Sequence, residues 1–115
     1  MKKERILKSI NQTGLLTYND NAEFELHNEN IGFVNITKVL DEAYDLEENV
    51  LVYINITRVG SDRLLFDEDG ILTKKTDTDG VLSYYICGTN LDYTLFYNTD
   101  EILNIEMKVK MREKG

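Results

Sequence analysis

Residues 64–86 read LLFDEDGILTKKTDTDGVLSYYI and contain the motif Asp-x-Asp-Gly twice, ten residues apart. Each copy is followed by Ile or Val and then by Leu. Asp-Gly between apolar runs is a strong hairpin signal, because Gly accepts a positive φ and Asp tolerates it. We therefore predict that DEDG is a four-residue hairpin loop and that the second motif is another turn. Three strands follow, at about 63–66, 71–76 and 81–87.

The alternative interpretation of these motifs is a pair of calcium-binding loops. Such a loop needs an acidic ligand at its first position and a Glu at its twelfth. Those positions hold Lys75 and Ile86 in the second copy and Leu65 and Thr76 in the first. We therefore predict turns and no metal site. A weak surface cation site is left open for four aspartates, Asp67, Asp69, Asp77 and Asp79.

Alternating apolar residues mark two further strands. One apolar face is Val50, Val52, Ile54 and Ile56, and the other is Leu103, Ile105, Met107, Val109 and Met111. The second strand has a charged opposite face, which is typical of a protected edge strand. Shorter strands are predicted on both sides of the turn at NDN (19–21) and at 32–36. Residues 1–12 are predicted to be a short helix or a mobile arm, and Thr37 is predicted to cap a second helix.

These elements predict a single domain over residues 1–115 of the α+β class. We expect a β-rich, mostly antiparallel twisted sheet that tends toward a small barrel or sandwich, with two or three short helices. An open sheet of four or five strands with its helices on one face is the alternative. A weak internal repeat relates residues 35–59 to 90–111, since both read as a helix followed by a strand, although chance similarity explains it as well.

Charge is distributed unevenly along the chain. The net charge is −8, and residues 13–105 hold five basic and eighteen acidic residues. A surface with a net charge of −13 repels phosphate backbones, so we expect no direct nucleic-acid binding. The acidic residues would speed association with a basic partner, and a solvated acidic surface without a binding role is the alternative. No apolar run is long enough to cross a membrane, and residues 1–14 lack the apolar core of a signal peptide, so a cytoplasmic protein is expected. Abundant Asn, Ile and Lys suggest an AT-rich coding sequence, as in a low-GC bacterium or its phages and mobile elements.

Most familiar catalytic and cofactor motifs are missing from the sequence. One histidine, His27, and one cysteine, Cys87, exclude a multi-histidine or structural zinc site, and no phosphate-binding glycine motif is present. We expect His27 to face solvent and Cys87 to be a small buried residue. We predict no catalytic residues, no metal site and no cofactor. A carboxylate-based enzyme is the least favoured hypothesis.

The candidate binding residues are drawn from a tyrosine-rich segment and two arginines. Residues 83–98 read SYYICGTNLDYTLFYN, and tyrosine combines an apolar ring with a polar hydroxyl, which suits interfaces and pockets. Six residues are predicted to contact a ligand or partner, namely Arg58, Arg63, Tyr85, Asn90, Tyr93 and Tyr97. The predicted function is a small acidic, non-enzymatic binding protein that self-associates and acts on a protein partner as an inhibitor or adaptor. A protein that binds or sequesters a small anionic metabolite or nucleotide is the alternative.

Overall fold

The computed structural model describes residues 3–46 and 49–113. Within these residues the chain forms eight strands and two helices in a regular order along the sequence. They are β1 Lys3–Tyr18, β2 Phe24–Asn28, β3 Gly32–Asn35, α1 Ile36–Leu46, β4 Leu51–Arg58, β5 Arg63–Thr76, β6 Leu82–Ile86, β7 Thr89–Asn90, α2 Leu91–Tyr97 and β8 Ile102–Glu113.

The strands form one eight-stranded sheet in the order β3-β2-β1-β8-β4-β5-β6-β7. Each described pairing is antiparallel. The predicted β-rich α+β class with a mostly antiparallel sheet is therefore confirmed, as are two of the expected short helices. Strands β3 and β7 form the two ends of the sheet.

One face of the sheet carries the hydrophobic core, and both helices pack on that face. Buried residues alternate with more exposed ones along β4 and β8, because successive side chains of a strand point to opposite faces. The buried set of the sheet joins Val39, Leu40 and Ala43 of α1 and Leu91 and Leu95 of α2 in a single core cluster. The opposite face of the sheet has no helix on it among the described residues, and its central positions are mainly polar.

The topology is duplicated about an approximate two-fold axis. Exchanging β1 with β5, β2 with β6, β3 with β7 and β4 with β8 reproduces the same strand order read from the other end. Each half therefore consists of three strands in a meander, then a helix, then a strand that crosses to the centre of the sheet. The two central strands, β4 and β8, pair with each other. The predicted repeat at 35–59 and 90–111 is confirmed as two helix-then-strand units.

Matching hydrogen bonds support this internal repeat. Asn35 Oδ1 accepts the backbone N–H of Lys38 at the start of α1, and Asn90 Oδ1 accepts that of Tyr93 at the start of α2, both at 2.9 Å. A second equivalent hydrogen bond is found two residues after each cap. Thr37 Oγ1 accepts the N–H of Phe24 in β2, and Asp92 Oδ1 accepts the N–H of Tyr84 in β6, again both at 2.9 Å.

The turns that follow β1 and β5 are also equivalent. Asn19 Oδ1 accepts the N–H groups of Asn21 and Glu23, and Asp77 Oδ1 accepts those of Asp79 and Val81. A positive φ is found at Ala22 in the first turn and at Gly80 in the second. The second Asp-Gly motif is thus the turn that the sequence predicts.

The first Asp-Gly motif is not a turn, and the prediction of a DEDG hairpin loop is wrong. Residues 67–70 continue strand β5, where they pair with residues 52–55 of β4. Gly70 instead lets the Cys87 side chain approach the backbone of β5 closely, because a Cβ atom at residue 70 would lie 2.5 Å from Cys87 Sγ. Cys87 is exposed, so its predicted burial is also wrong.

The predicted helix or arm at residues 1–12 is wrong for residues 3–12, which belong to β1, and residues 1–2 lie outside the described residues. A β-bulge between Ile6 and Lys8 explains the misleading pattern. Ile6 lies opposite Lys110 on the polar face and Ile10 lies opposite Met107 on the core face, so the bulge breaks the two-residue period and leaves a spacing that imitates a helix.

Two smaller predictions also change. Strand β8 lies at the centre of the sheet between β1 and β4, so it is not an edge strand, and its charged row faces solvent on the polar side. Helix α1 is capped by Asn35 rather than by Thr37, whose hydroxyl is engaged by β2.

Candidate functional site

Helix α2 presents aromatic side chains to solvent. The helix begins after the cap Asn90, and Leu91 and Leu95 bury one side of it in the core. Tyr93, Phe96 and Tyr97 follow the three- and four-residue spacing of a helix face and therefore share the opposite side. Asn98 ends the helix, with its N–H directed to the carbonyl groups of the last turn.

Four aromatic residues form a continuous exposed surface, which we call the α2 aromatic surface: Tyr18, Tyr93, Phe96 and Tyr97. Their exposed fractions are 46%, 60%, 59% and 67%. The rings of Tyr93 and Tyr97 have centroids 4.5 Å apart, those of Phe96 and Tyr97 5.8 Å, and those of Tyr18 and Phe96 6.2 Å. Tyr18 also packs on the buried Phe24 at 4.7 Å, which anchors the surface to the core.

The hydroxyl groups of this surface are also ordered with respect to each other. A hydrogen bond with the Tyr97 hydroxyl raises the pKa of Tyr93 above its ordinary value. The surface offers aromatic rings and hydroxyl groups, with no Lys, Arg, Asp or Glu among its four residues.

The chain around the α2 aromatic surface is acidic. Residues 18–24 contain Asp20 and Glu23, and residues 91–101 contain Asp100 together with Asp92 and Glu101, which are engaged by the Tyr84 N–H and by Arg58. Neither segment contains a Lys or an Arg. Aromatic faces next to carboxylates attract cations, through the ring quadrupole and through direct charge attraction.

The two predicted arginines are neighbours in the sheet. Arg58 and Arg63 lie opposite each other where β4 meets β5. The guanidinium of Arg58 is already engaged, because it donates to Asn98 Oδ1 at 3.2 Å and lies 3.8 Å from a carboxylate oxygen of Glu101. Arg58 therefore holds the end of α2 against β4.

Tyr85 and Asn90 meet at the other end of α2. Asn90 Nδ2 donates to the Tyr85 hydroxyl at 3.2 Å, and the Lys75 ammonium lies 4.5 Å from the centre of the Tyr85 ring. The contacts at Asn90 and Asn98 are separated by the length of the helix, about 12 Å at 1.5 Å per residue. The structure therefore divides the six predicted residues into the arginine pair, the Tyr85–Asn90 pair, and Tyr93 with Tyr97 on the exposed helix face.

A cluster of polar groups links α1, β6 and α2 beneath the helices. The buried Tyr84 hydroxyl donates to Asp41, and burial followed by this hydrogen bond raises the pKa of Tyr84 well above its usual range. Burial is also the main cause that raises the pKa of Asp92. Lys74 lies 3.9 Å from Asp41 and 5.0 Å from the Tyr84 ring. These contacts join the two halves of the fold, and each carboxylate is already engaged by a Tyr84 donor.

Among residues 3–46 and 49–113, no group of three or more His, Cys, Asp or Glu side chains is arranged to hold a metal ion. His27 is exposed, as predicted, and its Nε2 lies 3.1 Å from Glu25 Oε1, within hydrogen-bond distance. No helix in the described part of the chain is long and apolar enough to span a membrane.

Comparisons with protein-family models, with curated proteins and with solved structures found no match to this chain.

Sequence reasoning identified Tyr93 and Tyr97 but missed Phe96 and Tyr18. The helical spacing 93, 96 and 97 was available as a signal, because Leu91 and Leu95 occupy the alternate side of the same helix. No local signal points to Tyr18, since it joins the surface through the fold, 78 residues before Phe96 in the sequence.

Proposed function

We propose that this chain is a non-enzymatic, cytoplasmic protein-binding module. Its α2 aromatic surface engages a partner that presents Lys or Arg side chains among apolar ones, and the chain acts on that partner as an inhibitor or adaptor. The observation that carries the proposal is the exposure of four aromatic side chains, each in contact with the next, on a face that the fold does not require to be aromatic.

The internal repeat supplies the evidence for that last point. Helix α1 occupies the position equivalent to α2, shifted by 55 residues from Asn90 to Asn35. With this shift, Tyr93, Phe96 and Tyr97 correspond to Lys38, Asp41 and Glu42. The same fold position is therefore occupied by charged side chains in one half and by exposed aromatic side chains in the other. This difference between equivalent helix positions favours a binding role for the exposed aromatic residues of α2.

The kind of partner follows from charge and from ring chemistry. Exposed aromatic residues are enriched at the energetic centres of protein interfaces. The acidic segments around them would speed association with a basic partner and would repel an acidic one. A Lys or Arg side chain placed over a tyrosine ring would gain further from a cation–π contact.

Selection of short random peptides displayed on phage against the purified chain tests the proposal. We expect enrichment of peptides that combine Lys or Arg with aliphatic residues. A selected peptide should bind the double variant Phe96→Ala/Tyr97→Ala at least about tenfold more weakly, since interface anchors each contribute more than about 1 kcal/mol. Its affinity should also fall with added salt.

The matched control uses the equivalent positions on the other helix. The variant Lys38→Ala/Glu42→Ala alters exposed residues of α1, and it should bind the selected peptide within about twofold of the unaltered chain. Peptides without basic residues, or equal binding by the two double variants, would overturn the proposal. Circular dichroism of both variants checks that they remain folded, which the exposure of all four positions leads us to expect.

A further inference from the structure

Strand β3 is an edge strand without the usual protection against pairing. Among the described residues it pairs with β2 alone. Its sequence, Gly32-Phe33-Val34-Asn35, contains no charged residue, and Gly32 and Phe33 are exposed. Natural edge strands are normally blunted by a charge, a proline, a bulge or a covering element, because their unpaired N–H and C=O groups template another strand.

The opposite edge of the sheet is shorter. Strand β7, which is equivalent to β3 in the internal repeat, has only two residues. Strand β3 has four residues and β7 has two, so β3 offers the longer edge, and pairing at β3 alone would close as a dimer and would not extend into a fibre.

An apolar row on the polar face of the sheet leads to this open edge. Phe33, His27, Leu15 and Ile102 lie directly opposite one another on four consecutive strands. Phe33 is 56% exposed and stacks on the His27 ring at 5.2 Å, and Ile31 beside it is 69% exposed. A groove of about 650 Å³ runs along this row and the β2–β3 turn.

We propose that a second copy of this chain pairs with β3 in antiparallel orientation about a two-fold axis, which joins two eight-stranded sheets into one. A two-fold axis perpendicular to the sheet keeps the same face outward in both copies. Phe33 of one copy then lies opposite Phe33 of the other, and the apolar row continues across the junction. Aromatic pairs at directly opposed positions stabilise antiparallel strands.

The charges at the two ends of β3 favour a second copy as the occupant. Glu29 lies four residues before Phe33, and Lys38 lies five residues after it; both are exposed. In the antiparallel pairing, the turn that holds Glu29 of each copy approaches the helix start that holds Lys38 of the other. Two opposite-charge contacts result. Residues 30–37 between them carry no charge, so this part of the junction adds no like-charge repulsion even though the chain has a net charge of −8.

Sedimentation velocity from micromolar to millimolar concentration tests the pairing. We expect the chain to move from monomer to dimer across this range. Phe33→Lys should abolish the dimer, because it places two like charges opposite each other at the axis. Val81→Lys is the control, since Val81 is equally exposed at 56%, lies outside β3 and changes the net charge by the same amount.

Charge reversal provides a test that does not depend on Phe33. Glu29→Lys alone and Lys38→Glu alone should each weaken the dimer, by about tenfold for two reversed surface pairs. Their equimolar mixture should form heterodimers in native mass spectrometry, because both contacts are then attractive. A chain that stays monomeric at millimolar concentration, dimers unaffected by Phe33→Lys, or single reversals that do not recover on mixing would each overturn the inference.

Discussion

Gly14 and Gly70 occupy equivalent places on β1 and β5, and replacing each by alanine tests the backbone packing of the fold. A Cβ atom at Gly14 would lie 2.2 Å from the carbonyl oxygen of His27, where ordinary contacts begin at 3.4 Å. Strands β1 and β2 would have to separate by roughly 1.2 Å to accept it. Overpacking costs about 1–3 kcal/mol, and removing a strand glycine returns about 0.5–1 kcal/mol. Because the obstacle is backbone, we expect Gly14→Ala to lower the unfolding free energy by about 2 kcal/mol.

The obstacle at Gly70 is a side chain, which makes the outcome there different. A Cβ atom at Gly70 would lie 2.5 Å from Cys87 Sγ, and its next neighbour, in Ile86, is at 3.8 Å. Gly70→Ala should therefore destabilise by about 1 kcal/mol in the natural background and should be nearly neutral in a Cys87→Ala background. The same Cys87→Ala change should not rescue Gly14→Ala.

Urea unfolding followed by circular dichroism measures these free energies. The informative quantity is the coupling between Gly70→Ala and Cys87→Ala in a double-mutant cycle, which we expect to be about 1 kcal/mol. A Gly14→Ala variant within about 0.5 kcal/mol of the unaltered chain would refute the reasoning, since surface changes of no consequence fall in that range. So would a rescue of Gly14→Ala by Cys87→Ala.

Three further predictions concern the internal repeat and its polar cluster. Asn35→Ala and Asn90→Ala should each cost about 1 kcal/mol in urea unfolding, because each removes the side-chain oxygen that caps a helix; a cost at only one position would contradict the equivalence of the two caps. Ile54→Ala and Ile105→Ala should each cost roughly 2–4 kcal/mol, since both side chains are fully buried in central strands, and a loss below about 1 kcal/mol would place either residue outside the core. Asp92 has a raised pKa, so the stability that its protonated form provides is present below the ordinary aspartate pKa of about 4 and is lost as pH rises through the raised value. Asp92→Asn keeps an oxygen acceptor for the Tyr84 N–H. The unfolding free energy of this variant should therefore exceed that of the unaltered chain at neutral pH, and the two values should converge in acid. Thermal unfolding over a pH series measures the difference, and a difference that does not change with pH would contradict the prediction.

Local sequence patterns predict the central strands well, because burial on one face imposes the alternation directly. Val52, Ile54 and Ile56 of β4 are buried as predicted, and so are Leu103 and Ile105 of β8. A one-residue slip would expose each of these sets, so the register is strongly determined. The turn at Asp77–Gly80 is predicted for a comparable local reason, since the Asp77 side chain and the positive φ of Gly80 are enough to form it.

Features that depend on distant partners were not predictable in the same way. The Asp-Gly at residues 69–70 resembles a turn, but pairing with β4 holds it extended. Residues 3–12 become a strand because β8, about a hundred residues later, lies beside them, and a bulge hides their period. The central position of β8 also depends on distant partners. Its row of charged residues fits an edge strand and fits equally well a central strand with one face exposed to solvent.

The candidate surfaces follow the same division. The positions of Tyr93 and Tyr97 on one helix face are local, and the sequence indicates them. The contact of Tyr18 with Phe96 and the opposition of Phe33, His27, Leu15 and Ile102 depend on strand order, which no local pattern encodes.

The duplicated topology has a consequence for how the polypeptide can be reconnected. Lys3 lies opposite Glu113 in the sheet, so a short linker can join these two positions. The turn at residues 59–62 between β4 and β5 is a suitable place for new chain termini. The resulting circular permutant would begin with β5 and finish with β4, yet it would trace the same path of three strands, helix and strand, twice. Such a rearranged chain should reach the native architecture, although the half that begins with β5 would be synthesised before the half that begins with β1.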